Sequence, residues 1–143
     1  MKKITYLVCF VGLAMQSCQS GQVKNENPFF NAYETPHEVP PFHLIKNKHY
    51  IPAYEEGMKQ QQAEINAIIN NPEAPTFKNT IDALETSGEL LNKVASVFGN
   101  QQGANTNDSI KAIAKEITPK LTAHRDAINL NEKLFARIKT VHE

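Results

Sequence analysis

A chain of 143 residues has the length of one domain of ordinary size. Its 15 Lys and Arg balance its 15 Asp and Glu, which argues against a nucleic-acid footprint and against an acidic interaction tail. Hydrophobic residues make up 41% and charged residues 21%, globular values that exclude a wholly disordered chain.

Residues 1–17 read as a signal peptide. Lys2 and Lys3 form a positive start, Ile4 to Met15 is an uncharged apolar run, and Gln16-Ser17-Cys18 follows. The run is too short to span a bilayer comfortably, and no later stretch approaches the roughly 20 apolar residues of a spanning helix. Cys18 after the small Ser17 resembles the lipobox of bacterial lipoproteins, in which the Cys thiol is acylated and becomes the new N-terminus. Met15 and Gln16 depart from that pattern, and the plain alternative is an ordinary cleaved signal, although no A-x-A-like site stands out. The expectation is an exported chain lipidated at Cys18, either membrane-anchored or periplasmic. Cys9 would leave with the signal, so no thiol would remain for a disulfide, a nucleophile or a metal.

Residues 18–26 are polar and small and read as a flexible tether. Residues 27–47 hold Pro28, Pro36, Pro40 and Pro41 among Phe29, Phe30, Tyr33 and Phe42. The prolines oppose regular helix, and the aromatics are costly to leave in water. An extended arm glued by its aromatics to a helical body is expected.

Helical spacing occupies residues 48–143. Tyr50, Tyr54, Met58, Ile65, Ile68 and Ile69 line one face, with Pro52 in the first turn and Asn70-Asn71-Pro72 as the stop. Thr76 is the next N-cap, followed by a stripe of Phe77, Ile81, Leu84 and Leu91. Ser87-Gly88 marks a break or a close helix contact, and Leu90, Leu91, Val94, Val97 and Phe98 continue towards Gly103. Thr106 or Asn107 caps a helix through Ile110, Ile113, Ala114, Ile117, Leu121, His124 and Ile128, which Pro119 should kink. Asn129 to Asn131 caps a last helix with Leu134, Phe135, Ile138 and Val141, expected to be severed in mid-helix at Glu143. No alternation long enough for a strand exists. The expected class is all-α, with kinked antiparallel helices.

Candidate chemistry is sparse. The histidines His37, His43, His49, His124 and His142 include no i, i+4 pair of the HExxH kind, whose two ligands share a helix face with a general-base Glu. His124 on an apolar face reads as a hydrogen-bonded core residue, and His37, His43 and His49 as surface residues. The acids fit solvated helix faces, and no glycine cluster forms a phosphate loop.

Longer phrases say more. Asn27-Pro28-Phe29-Phe30, Tyr33-Glu34-Thr35-Pro36, Pro40-Pro41-Phe42 and His49-Tyr50-Ile51-Pro52-Ala53-Tyr54 with Gly57-Met58 resemble the start of bacterial peptidyl-dipeptidases of the thimet oligopeptidase family. The most specific block is Pro75-Thr76-Phe77-Lys78-Asn79-Thr80-Ile81 with Ser87-Gly88-Glu89-Leu90-Leu91. His124-Arg125-Asp126, Leu134-Phe135 and Arg137-Ile138 extend it towards the end. His43 stands where an acid is expected and Lys78 where Glu is usual.

The resemblance implies an exported zinc metallopeptidase that releases C-terminal dipeptides from oligopeptides entering a deep channel in a helical body. It places the HExxH helix and a further Glu ligand far downstream. This chain would then supply channel wall, bind no zinc itself, carry no catalytic or metal residue, and be inactive alone. Its partners would be oligopeptides, through the missing part, and the membrane. The alternative is a non-catalytic helical lipoprotein that binds peptides or a protein partner.

Overall fold

The computed structural model describes residues 26–143, so the expected signal peptide, Cys18 and all of the expected tether before Glu26 lie outside the described residues. The described part is all-α, as the spacing predicts, and contains no strand.

The arm is less extended than expected. Three short 3-10 turns punctuate it, at Pro28–Phe30, Pro36–Glu38 and Asn47–His49. Two of them start on proline, where the missing N–H costs no bond. Asn27 fastens the first: its Oδ1 accepts from the Phe29 N–H (3.2 Å), and its Nδ2 donates to the His49 carbonyl (2.9 Å). Phe29 is the aromatic that enters the core, 1% exposed, whereas Phe42 stays 43% exposed. The reason is local. Phe42 N–H bonds Pro40 O, and the amides of Leu44 and Ile45 bond Pro41 O, a turn that buries Pro41 and Ile45 and leaves Phe42 outside.

Helix α1 (Tyr50–Ile69) carries Pro52 in its first turn and ends at Asn70, two residues before Pro72. Thr76 caps the next segment in a reciprocal box. Its Oγ1 accepts from Asn79 N–H (3.1 Å) while Asn79 Oδ1 accepts from Thr76 N–H (2.8 Å). That segment begins with a π-helical turn at Phe77–Asp82 and continues as α2 (Ala83–Glu85). Gly88, at φ 76°, then supplies the left-handed step into α3 (Glu89–Ala104). Asn107 caps α4 (Asp108–Asn129) by accepting from Ile110 N–H (3.1 Å). Pro119 lies inside α4 and deprives the Lys115 carbonyl of its usual donor. Asn131 caps α5 (Glu132–His142) by accepting from Leu134 N–H (3.0 Å).

Helix α1 is the centre. Tyr54 meets Phe98, Gly57 meets Leu91 and Gln61 meets Ser87, so α3 runs antiparallel to α1. Glu55 pairs with Lys120 and Gln61 with His124, so α4 returns in the direction of α1. Gly57 sets the α1–α3 distance: a Cβ there would lie 2.9 Å from the Leu91 backbone. Two cores result. The larger joins Phe29, Ile45, Tyr50, Ala53 and Tyr54 to Leu91, Val94, Val97 and Phe98 of α3 and to Ile110, Ile113 and Ile117 of α4. The smaller joins Ile65 and Ile68 to Leu134, with partly buried Ile69, Leu84, Ile128 and Ile138 around them. Each fully buried side chain of this size contributes about 1.5–3 kcal/mol.

Candidate functional site

Between the two cores a chain of polar groups crosses three elements. Ser87 Oγ–H donates to the Leu84 carbonyl (2.7 Å), which leaves its oxygen to accept from Gln61 Nε2 (3.4 Å). The Gln61 Oε1 therefore faces His124 Nε2 (2.8 Å), and the imidazole must donate there. One turn along α1, Glu64 Oε2 accepts the Gly88 N–H (2.7 Å). A Cβ on Gly88 would lie 2.5 Å from Gln61 Nε2, so the absent side chain makes this grip possible. Burial holds the His124 pKa below its ordinary value and favours the neutral ring.

This network closes one end of a groove of about 550 Å³ between α1, α3, α4 and α5. A second hollow of about 780 Å³ lies where the arm meets α1 and α3. Glu56, Glu64, Glu89 and Lys93 line it. Two of its acids are committed locally: Glu64 holds Gly88, and Glu56 accepts from Gln60 (3.0 Å) and Lys59 (3.3 Å). Those two hydrogen bonds, Gln60's first, lower the Glu56 pKa. Lys93 holds the arm by donating to the carbonyls of Phe29 (3.2 Å) and Asn31 (2.8 Å), with its ammonium 3.9 Å from the centre of the Tyr33 ring. Burial lowers its pKa, against the opposing pull of Glu89 and Glu38. Burial also pushes the Tyr54 hydroxyl up to about 12, with Tyr50 adding to the effect.

His49 corrects the sequence reading. It is buried, 8% exposed, and its Nδ1 accepts the Lys46 N–H (3.0 Å). Burial, then Lys48 and Lys46, lower its pKa. His124 is partly buried and hydrogen-bonded, as its apolar setting suggests, while His37, His43 and His142 are exposed.

No three His, Cys, Asp or Glu side chains among the described residues come together as a metal site. His124 is bound to Gln61 and His49 to a backbone amide, so these residues do not fit a zinc ion. Three side chains carry structural weight that the sequence reading does not give them. Gln61 sits in a glutamine run that resembles any polar helix face. The sequence marks Ser87 only with Gly88, as a break or close contact, without its bonds to Leu84 and Gln61. Arg137 reaches back across the fold, donating to the carbonyls of Asn71 (3.0 Å) and Glu73 (3.4 Å) and to Asn79 Oδ1 (3.4 Å). In sequence it is one of several cations on the last helix and part of the Arg137-Ile138 phrase, with no sign of its reach.

The described residues form a helical scaffold in which Asn27, Gln61, Glu64, Thr76 and Lys93 fix turns and the arm. No protein-family model matches the chain. Over 115 residues, 80% of the chain, it is 44% identical to the dipeptidyl carboxypeptidase of Salmonella typhimurium and 46% identical to that of Escherichia coli. The chain spans 17% of the length of these curated relatives. The resemblance carried by the motifs is thereby borne out: the chain is related to a segment of the dipeptidyl carboxypeptidases, which are peptidyl-dipeptidases.

Proposed function

We propose that these residues form the helical N-terminal part of an exported zinc metallopeptidase that releases C-terminal dipeptides from oligopeptides. In this reading they supply wall and packing to its substrate channel, and Cys18 anchors the protein to a membrane. The observation that carries the reading is the 44–46% identity to dipeptidyl carboxypeptidases over 115 residues. The zinc chemistry belongs to residues other than those described, and none of the side chains above takes part in it. Their role is rigidity. Gln61, Glu64 and Lys93 hold the Ser87-Gly88 turn and the arm in fixed positions against α1 and α3.

The test is made on the native product from a membrane fraction, by intact mass and by dipeptide release from an N-blocked oligopeptide. The expected product is several times heavier than 16.0 kDa, and its release stops with a chelator and returns with zinc. A product near 16.0 kDa that releases nothing would overturn the proposal. Cys18→Ser is expected to move the protein to the soluble fraction, and continued membrane retention would overturn the anchor.

A second reading is a helical lipoprotein that binds a peptide or protein without cleaving it. It requires a light product that binds peptides intact.

A further inference from the structure

The smaller core is open on one side. Its groove has an aliphatic floor that includes Leu84, Leu121, Ile128 and Ile138, each only partly buried. Phe135 stands at the rim 66% exposed, and Leu130 at the α4–α5 junction is 80% exposed. Helix α5 therefore has one apolar face filled by Leu134, 3% exposed, and an aromatic beside it left in water. Single exposed apolar residues need no explanation, but an aromatic at the lip of an aliphatic groove does.

The shape specifies the occupant. Leu121, His124 and Ile128 step along α4 by three and four residues, and Leu134 and Ile138 lie four apart on α5. Such rows form the ridges between which a third helix packs. Arg125 also lines the groove and forms no ion pair among the described residues, so a carboxylate on the occupant would be matched. We infer that this groove seats an amphipathic helix from elsewhere in a longer polypeptide, with aliphatic side chains on the floor and an acid against Arg125. The inference rests on the peptidase reading, because most of the length of the curated relatives lies outside the 17% matched here. A partner on the same polypeptide is present at high effective concentration and would cover the groove permanently.

The experiment uses the native full-length protein carrying Phe135→Cys, with Lys133→Cys as the exposed control on the same helix and the parent protein to subtract its own cysteines. Maleimide labelling at position 135 is expected to be at least about tenfold slower than at 133, and equal to it in denaturant. Adding Arg125→Glu is expected to raise the rate at 135. Ala95→Cys, an exposed position on the α3 wall of the groove, gives the same comparison if the change at 135 disrupts folding. Equal native rates at the two positions would overturn the inference. Protection that disappears on dilution would overturn it too, by assigning the groove to a second copy of the chain. Free labelling in a protein that still releases dipeptides removes this inference alone. A light product without release removes the peptidase reading and the inference with it.

Discussion

The two ends of α1 follow the same helical spacing and meet different surroundings. At the Tyr50 end the arm contributes Phe29, and ring centroids lie 5.5 Å apart for Phe29–Tyr50, 4.9 Å for Tyr50–Phe98 and 5.8 Å for Tyr54–Phe98. At the Ile69 end only Ile65, Ile68 and Leu134 are fully enclosed, and an open groove borders them. The difference teaches that an apolar stripe states which face a helix will bury. It does not state how much covers that face.

Truncations break the comparison most directly. Phe29→Ala should cost about 3–5 kcal/mol, because the ring is surrounded and the site cannot collapse. Leu134→Ala should cost about 2 kcal/mol, the low end for its type, since the neighbouring groove lets the site relax. Denaturant midpoints measure both, and equal losses would show that the smaller core is as closed as the larger. Gly88→Ala should follow at about 1–3 kcal/mol, from a left-handed backbone and a Cβ that meets Gln61. Gly99→Ala, in an exposed helical position with no atom within 4 Å, should change sign and stabilise by about 0.5–1 kcal/mol.

Acid is a gentler probe. His49 and His124 both titrate below the ordinary 6.5 in the fold, so the unfolded chain takes up protons first as pH falls. Their contribution is complete above that value and is lost as pH drops through 6.5 towards the folded-state values. The urea midpoint should fall between pH 7.5 and 5.5, and His49→Gln should flatten the change because it removes the ring nitrogen that accepts from Lys46. Unaltered slopes in that variant would place the titration elsewhere. Lys120→Ala, which deletes the exposed bridge to Glu55, should leave the midpoint where it was.

The helices were legible because their ends carry local chemistry. Thr76, Asn107 and Asn131 each accept a backbone N–H three residues on, a bond that depends on nothing distant. Phe77 and Phe135 were misread as stripe members. Their spacing is right, yet they are 67% and 66% exposed, because burial needs a partner surface that spacing cannot reveal. The π-helical turn at Phe77–Asp82 left no sequence mark. His49 escaped because its burial depends on Asn27, 22 residues earlier, whose amide binds the His49 carbonyl. At Ser87-Gly88 the sequence allowed a break or a close contact, and the turn is both, with Gln61 pressed against it.

Arg137 also dictates an order of assembly. Everything the aromatic core needs lies between Phe29 and Ile117, so a chain emerging amino end first holds that core complete before α5 exists. The carbonyls of Asn71 and Glu73 wait some sixty residues of synthesis for the guanidinium that fixes them. Until then the 70–79 connection is held by local bonds alone, the Thr76–Asn79 box and the Glu73 N–H on Asn71 Oδ1, and the last helix adds its one distant tie.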